Sequence, residues 1–65
     1  MRHLDRAFER GRAARLADQP RVHPYRTGER VTLLVRSLRN MWLIGWDEAD
    51  TEIRAAERAA TESRK

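Results

Sequence analysis

Apolar residues recur at steps of three and four through two parts of the chain, and a polar, proline-bearing stretch separates them. In the first part Leu4, Ala7, Phe8, Gly11 and Ala14 form one stripe, which is the spacing of an amphipathic helix. Arg2, Arg6 and Arg10 line the opposite side. The pattern predicts a helix over residues 2–18, stopped at Asp18-Gln19-Pro20, because proline cannot continue the hydrogen-bond ladder and disfavours helix just before it. Residues 19–28 hold two prolines and a glycine and read as an extended linker. Thr27 is the expected cap of the next helix, with Glu29 in its first turn.

From there Val31, Leu34, Val35, Leu38, Met41, Trp42, Gly45, Trp46, Ala49, Ile53, Ala56 and Ala60 keep one helical phase. They predict a long helix over residues 29–60, followed by a frayed tail at 61–65. Val31-Thr32-Leu33-Leu34-Val35 also has strand propensity, but a lone strand has no partner here. The expected architecture is therefore all-α: one small domain, residues 1–60, made of a two-helix hairpin with an extended linker. The first helix is shorter, so part of the second must stay wet or meet another molecule. Leu33, Leu43 and Ile44 lie off the main stripe, and such a second apolar face predicts an intermolecular contact.

Between the helices, Leu4, Phe8, Gly11, Leu38, Trp42, Gly45 and Trp46 are the expected packing residues. Trp42 and Trp46 stand four apart, on one helix face, and are expected to pack on Leu4, Phe8 and Gly11. The rival role for the two indoles is an aromatic platform for bases. Gly11 and Gly45 mark points where two backbones come close. Arg15 falls on the apolar side by angle, so its stem is expected to pack while its guanidinium reaches water or an indole face.

Charge changes the picture. Residues 1–46 carry ten arginines against four acidic groups, a net of +6, while residues 47–65 carry a net of −2. Thirteen of the 14 basic residues are arginine, whose planar fork grips phosphate and stacks on bases. A basic half on a chain of 65 residues makes nucleic acid the leading partner class. The candidate RNA-binding set is Arg2, Arg6, Arg10, Arg12, Arg21, His23, Tyr25, Arg26, Arg30 and Arg39. In the linker, cations interleave with an aromatic and an imidazole, a composition that suits single-stranded or irregular RNA. An ordinary loop with Tyr25 tucked over the helices fits that composition equally well. Asp47, Glu48, Asp50 and Glu52 read as a solvated acidic face.

Other chemistry finds little support. There is no cysteine, which excludes disulfides and thiolate sites and fits a reducing cytoplasm. His3 and His23 sit on different segments, and no phosphate-binding glycine loop is present. No enzyme activity, metal or cofactor is expected. No apolar run approaches the ~18 residues that span a bilayer, nor does an apolar segment follow Met1-Arg2-His3-Leu4-Asp5, so no membrane or signal segment is expected.

The ordered set Leu4-Asp5-Arg6-Ala7, Glu9-Arg10-Gly11, Ala14, Ala17, Pro24-Tyr25 and Trp42-Leu43-x-Gly45-Trp46-x-Glu48-Ala49 resembles the ribosome modulation factor family. These are small basic bacterial proteins, and the similarity covers roughly residues 4–49 apart from an inserted stretch. The resemblance implies two helices and an extended linker. It further implies a cytoplasmic partner, the small ribosomal subunit, contacted near the 3′ end of its rRNA and at ribosomal proteins, with mRNA pairing blocked and ribosomes stored as inactive dimers during starvation. Three features depart from the family pattern. Arg15 and Asp18 stand where members often carry glycine, 16 residues separate Tyr25 from Trp42, and the tail after Ala49 is long and charged. The alternatives are a helical homodimeric interaction module, held through Leu34 and Leu38, or a general nucleic-acid binder.

Overall fold

The computed structural model describes residues 2–25 and 32–63. Within them the chain is all-α, with helix α1 over Arg2–Leu16 and helix α2 over Leu33–Glu62, packed face to face and joined by the proline-bearing linker. The expected glycine contacts anchor the pair. A Cβ on Gly11 would collide with the carbonyl oxygen of Trp42 and stand 3.0 Å from the Trp46 nitrogen. A Cβ on Gly45 would collide with the carbonyl of Phe8. Each glycine thus admits the other helix's backbone, and the core between them is small: Ala7, Ala14, Trp42 and Ala49 are buried.

The pairing climbs both helices together. His3 and Ala7 share a cleft with Leu38, Gly11 meets Trp42 and Trp46, and Arg15 bonds Asp50. The helices therefore run in the same direction, and residues 19–25 travel back along the pair. Gln19 accepts a hydrogen bond from Trp46 Nε1 at 3.1 Å, Arg21 reaches Asp47, and Tyr25 packs beside Leu38. An extended linker is what such a return requires.

The helix ends differ from the expected ones for local reasons. α1 stops at Leu16, two residues early, because Asp18 takes a left-handed φ of 59°. The Gln19 N–H then reaches the Ala14 carbonyl at 2.9 Å and the Asp18 N–H reaches Arg15 at 3.0 Å, which is the Schellman pattern of helix termination. α2 begins at Leu33, capped by Thr32, whose hydroxyl accepts from the Val35 N–H at 3.2 Å. The expected cap Thr27, with Glu29 and Val31, lies outside the described residues. At the far end α2 continues to Glu62, closed by Ser63, whose N–H bonds the Ala59 carbonyl at 3.0 Å.

The lengths agree with the expected mismatch. α2 has 30 residues, about 45 Å, whereas α1 has 15, about 22 Å, and the whole measures 53 × 23 × 15 Å. Ala56 and Ala60 continue the stripe but are exposed. Of the off-stripe residues, Leu33 and Ile44 are exposed. Leu43 is not: it packs against the core cluster, so it is no free surface residue. Leu38 likewise packs against the core cluster and is partly buried, while Leu34 is exposed.

Candidate nucleic-acid interface

The arginines of this chain fall into two groups. In the first, three from α1 and the linker are tied to the carboxylates of α2, where Arg54 also bonds Asp50 at 3.0 Å. Arg12 bonds Glu48 and Glu52, both at 2.9 Å. Arg15 Nε bonds Asp50 at 2.8 Å, with its guanidinium 5.5 Å from the Trp46 ring centroid. Arg21 grips Asp47 through two parallel hydrogen bonds of 2.8 Å each. The acidic residues of α2 are thus paired, while Asp47, Glu48 and Glu52 stay solvent-exposed as expected and only Asp50 is largely covered. The common direction of the helices brings the second half of α1 alongside them, and the returning linker supplies Arg21. Electrostatics follows the geometry. The hydrogen bonds from Arg21 hold the Asp47 carboxyl below the ordinary aspartate value of 3.8. The same pairing raises Arg21, and the hydrogen bond to Glu52 raises Arg12.

Arg12 and Arg21 were expected at an RNA surface. In the fold both are paired with carboxylates of α2, and the bidentate contact of Arg21 with Asp47 engages the fork that would grip phosphate. Arg15 behaves as expected, with its stem packed and its head at an indole, and it gains a carboxylate partner as well. Trp46 is half-buried under Arg15 and bonded to Gln19, while Trp42 is buried in the core. Trp42 is thus closed to bases, and Trp46 has its indole N–H and one face engaged.

The second group consists of Arg6 and Arg10, joined by Arg36 and Arg39 on α2. Among the described residues none of the four forms an ion pair. Arg6 and Arg10 stand four apart on α1, with His3 one turn before, so all three share a helix face. They open onto a notch of about 150 Å³ between α1 and the linker, whose remaining walls are Ala7, Tyr25 and Leu38. Among the described residues no carboxylate lines it. Tyr25 is half-buried over the helix pair, the loop-like placement of the two left open by composition, yet it still presents one wall of this basic notch. His23 stacks on it, with centroids 6.2 Å apart and planes 24° apart. His23 Nδ1 is shielded from solvent and has no hydrogen-bond partner among the described residues.

The remaining expected contacts are scattered. Arg39 is half-buried on α2. Arg26 and Arg30 lie outside the described residues, and so does the side chain of Arg2. Sequence reasoning missed His3, which the notch brings together with Arg6, Arg10 and Tyr25. Its spacing of three and seven residues from the two arginines was the available signal.

Among the described residues no group of histidines and carboxylates is placed to hold a metal ion, and no helix is long and apolar enough to cross a membrane. Comparisons with protein-family models, with curated proteins and with solved structures give no match to this chain.

Proposed function

We propose that this chain is a non-enzymatic, ribosome-associated RNA-binding factor of the cytoplasm, which occupies small-subunit rRNA near its 3′ end and so occludes mRNA. The observation that carries the RNA-binding part is the division of the arginines. Arg12, Arg15 and Arg21 are paired with carboxylates of α2, whereas Arg6 and Arg10 line, with His3 and Tyr25, a notch that has no carboxylate among the described residues. Backbone phosphates are the usual partners of such a surface. The choice of the ribosome rests on the resemblance of residues 4–49 to ribosome modulation factors. A related role in storing ribosomes as dimers belongs to the same reading.

Sedimentation of bacterial ribosomes with the purified protein tests it. The expected result is co-migration with the small subunit at low salt, weakened at moderate salt, and lost on replacing Arg6 and Arg10 by glutamate. Protein that stays at the top of the gradient at both salts overturns the ribosomal role.

A second reading has its own observation. Leu33 is 80% exposed, Leu34 53% and Ile44 51%, and these leucines and the isoleucine leave apolar surface on α2 open to a second copy. If the chain is a dimer held there, Leu34→Glu converts it to a monomer in sedimentation equilibrium. A monomeric native chain removes this reading.

A further inference from the structure

We propose that the notch between α1 and the linker seats a single phosphate group of an RNA strand. This rests on the RNA-binding reading above and adds the ligand group and the residues that hold it. At about 150 Å³ the notch is well below the ~300 Å³ where pockets for drug-sized ligands begin. That size suits a phosphate group. Arg6 and Arg10 enter from consecutive turns of α1, and His3 stands one turn earlier. Arg6 and Arg10 line one small cavity with no carboxylate among the described residues, and an anion between two such cations relieves their mutual repulsion. Arginine is also the side chain whose fork matches phosphate oxygens.

The rest of the lining fits the same ligand. Ala7, 1% exposed, and Leu38 make a firm apolar floor, so the charged groups cannot be neutralised from below. Tyr25 places an aromatic wall beside the seat, where the base next to the held phosphate stacks. The phenol is itself fixed by the His23 ring and by its packing on the core. A phosphate group reaches the notch from two sources, an internal diester or a terminal monoester, and both offer the same oxygens.

The test uses the full chain labelled with ¹⁵N, titrated with inorganic phosphate and with a short single-stranded oligoribonucleotide bearing either a 5′-hydroxyl or a 5′-phosphate. Affinities are read by fluorescence anisotropy for the native chain, Arg6→Gln, Arg10→Gln and the overhang control Arg58→Gln, with helix content checked by circular dichroism. Arg6→Gln and Arg10→Gln are each expected to weaken RNA binding about tenfold and to lower the salt slope by about 0.7, while Arg58→Gln leaves both unchanged. Phosphate is expected to shift the Arg6 and Arg10 Nε–H resonances of the native chain. Tighter binding of the 5′-phosphorylated strand assigns the seat to chain ends, and equal binding assigns it to internal diesters; either supports the seat. Equal RNA affinity in the native chain and both notch variants overturns the seat and leaves RNA binding standing elsewhere. Failure of the native chain to bind RNA overturns the RNA reading itself. Should the notch variants lose helix content, the phosphate titration of the native chain decides, and unshifted Arg6 and Arg10 resonances overturn the seat.

Discussion

Gly11 and Gly45 show how one missing methyl sets the geometry of the fold. In an isolated helix each would gain about 1 kcal/mol on replacement by alanine. Here the new Cβ meets backbone that cannot move aside, so overpacking costs more than propensity returns. Gly45→Ala is expected to destabilise by about 2 kcal/mol and to lower Tm by on the order of 10 °C, measured by thermal melting. Asp18 is the opposite case. It holds a left-handed φ of 59° that glycine adopts freely, and its carboxylate makes only a long 3.6 Å contact to Arg15. Asp18→Gly is expected to stabilise by about 0.5 kcal/mol, which a denaturant titration resolves. The Arg21–Asp47 pair predicts a pH dependence. Asp47 is held below its ordinary value in the folded state, so its contribution is fully present above the unfolded pKa of about 3.9. It is lost as pH falls through the lower folded value. Linker docking, followed by Trp46 fluorescence, is therefore expected to be flat from neutral pH to about 5 and to weaken below about 4; Asp47→Asn should abolish that acid step.

At the scale of elements, the helices themselves were legible because apolar periodicity reports burial on one side. The close approach at the two glycines was legible in the sequence, as was the packing of Leu38, Trp42 and Trp46 on the shared stripe. The direction of pairing was not. A stripe of small and apolar residues looks the same read upward or downward, and the bonds that fix direction join residues 35 to 40 apart. For that reason the pairing of Arg12, Arg15 and Arg21 with Asp47, Glu48, Asp50 and Glu52 could not be read from the sequence. Linker length was the unused clue: 16 residues separate Leu16 from Leu33, well beyond the 2–8 usual between neighbouring helices of a bundle. The start of α2 was misplaced because Thr27 and Thr32 both precede helix-compatible sequence, and the hydroxyl of Thr32 makes the cap. Replacing Thr32 by alanine is expected to cost about 1 kcal/mol, seen as a lower midpoint in urea.

For the molecule as a whole, the distribution of charge matters more than its net value of +4. Internal pairing consumes acids of the second half and arginines of the first, and leaves Arg6 and Arg10 exposed beside the notch. The first turns of α1 and the start of α2 lie at one end, so both helix dipoles present their positive poles there, close to the same basic surface. Such a molecule approaches a polyanion one end first. The last two and a half turns of α2 project past α1 without a partner among the described residues, which separates them from the notch.

The shared direction of the helices also governs how the chain reaches its native state. A helical hairpin with a tight turn can zip from that turn, each contact shortening the next loop to be closed. Here the pairs Arg12–Glu48 and Arg15–Asp50 are separated by 36 and 35 residues, more than half the chain, so no short loop leads into the interface. The first contact between α1 and α2 bears the entropy of closing a long loop at once. In topological terms this is a helical protein with the contact order of a β fold, and its folding rate belongs with the slower class.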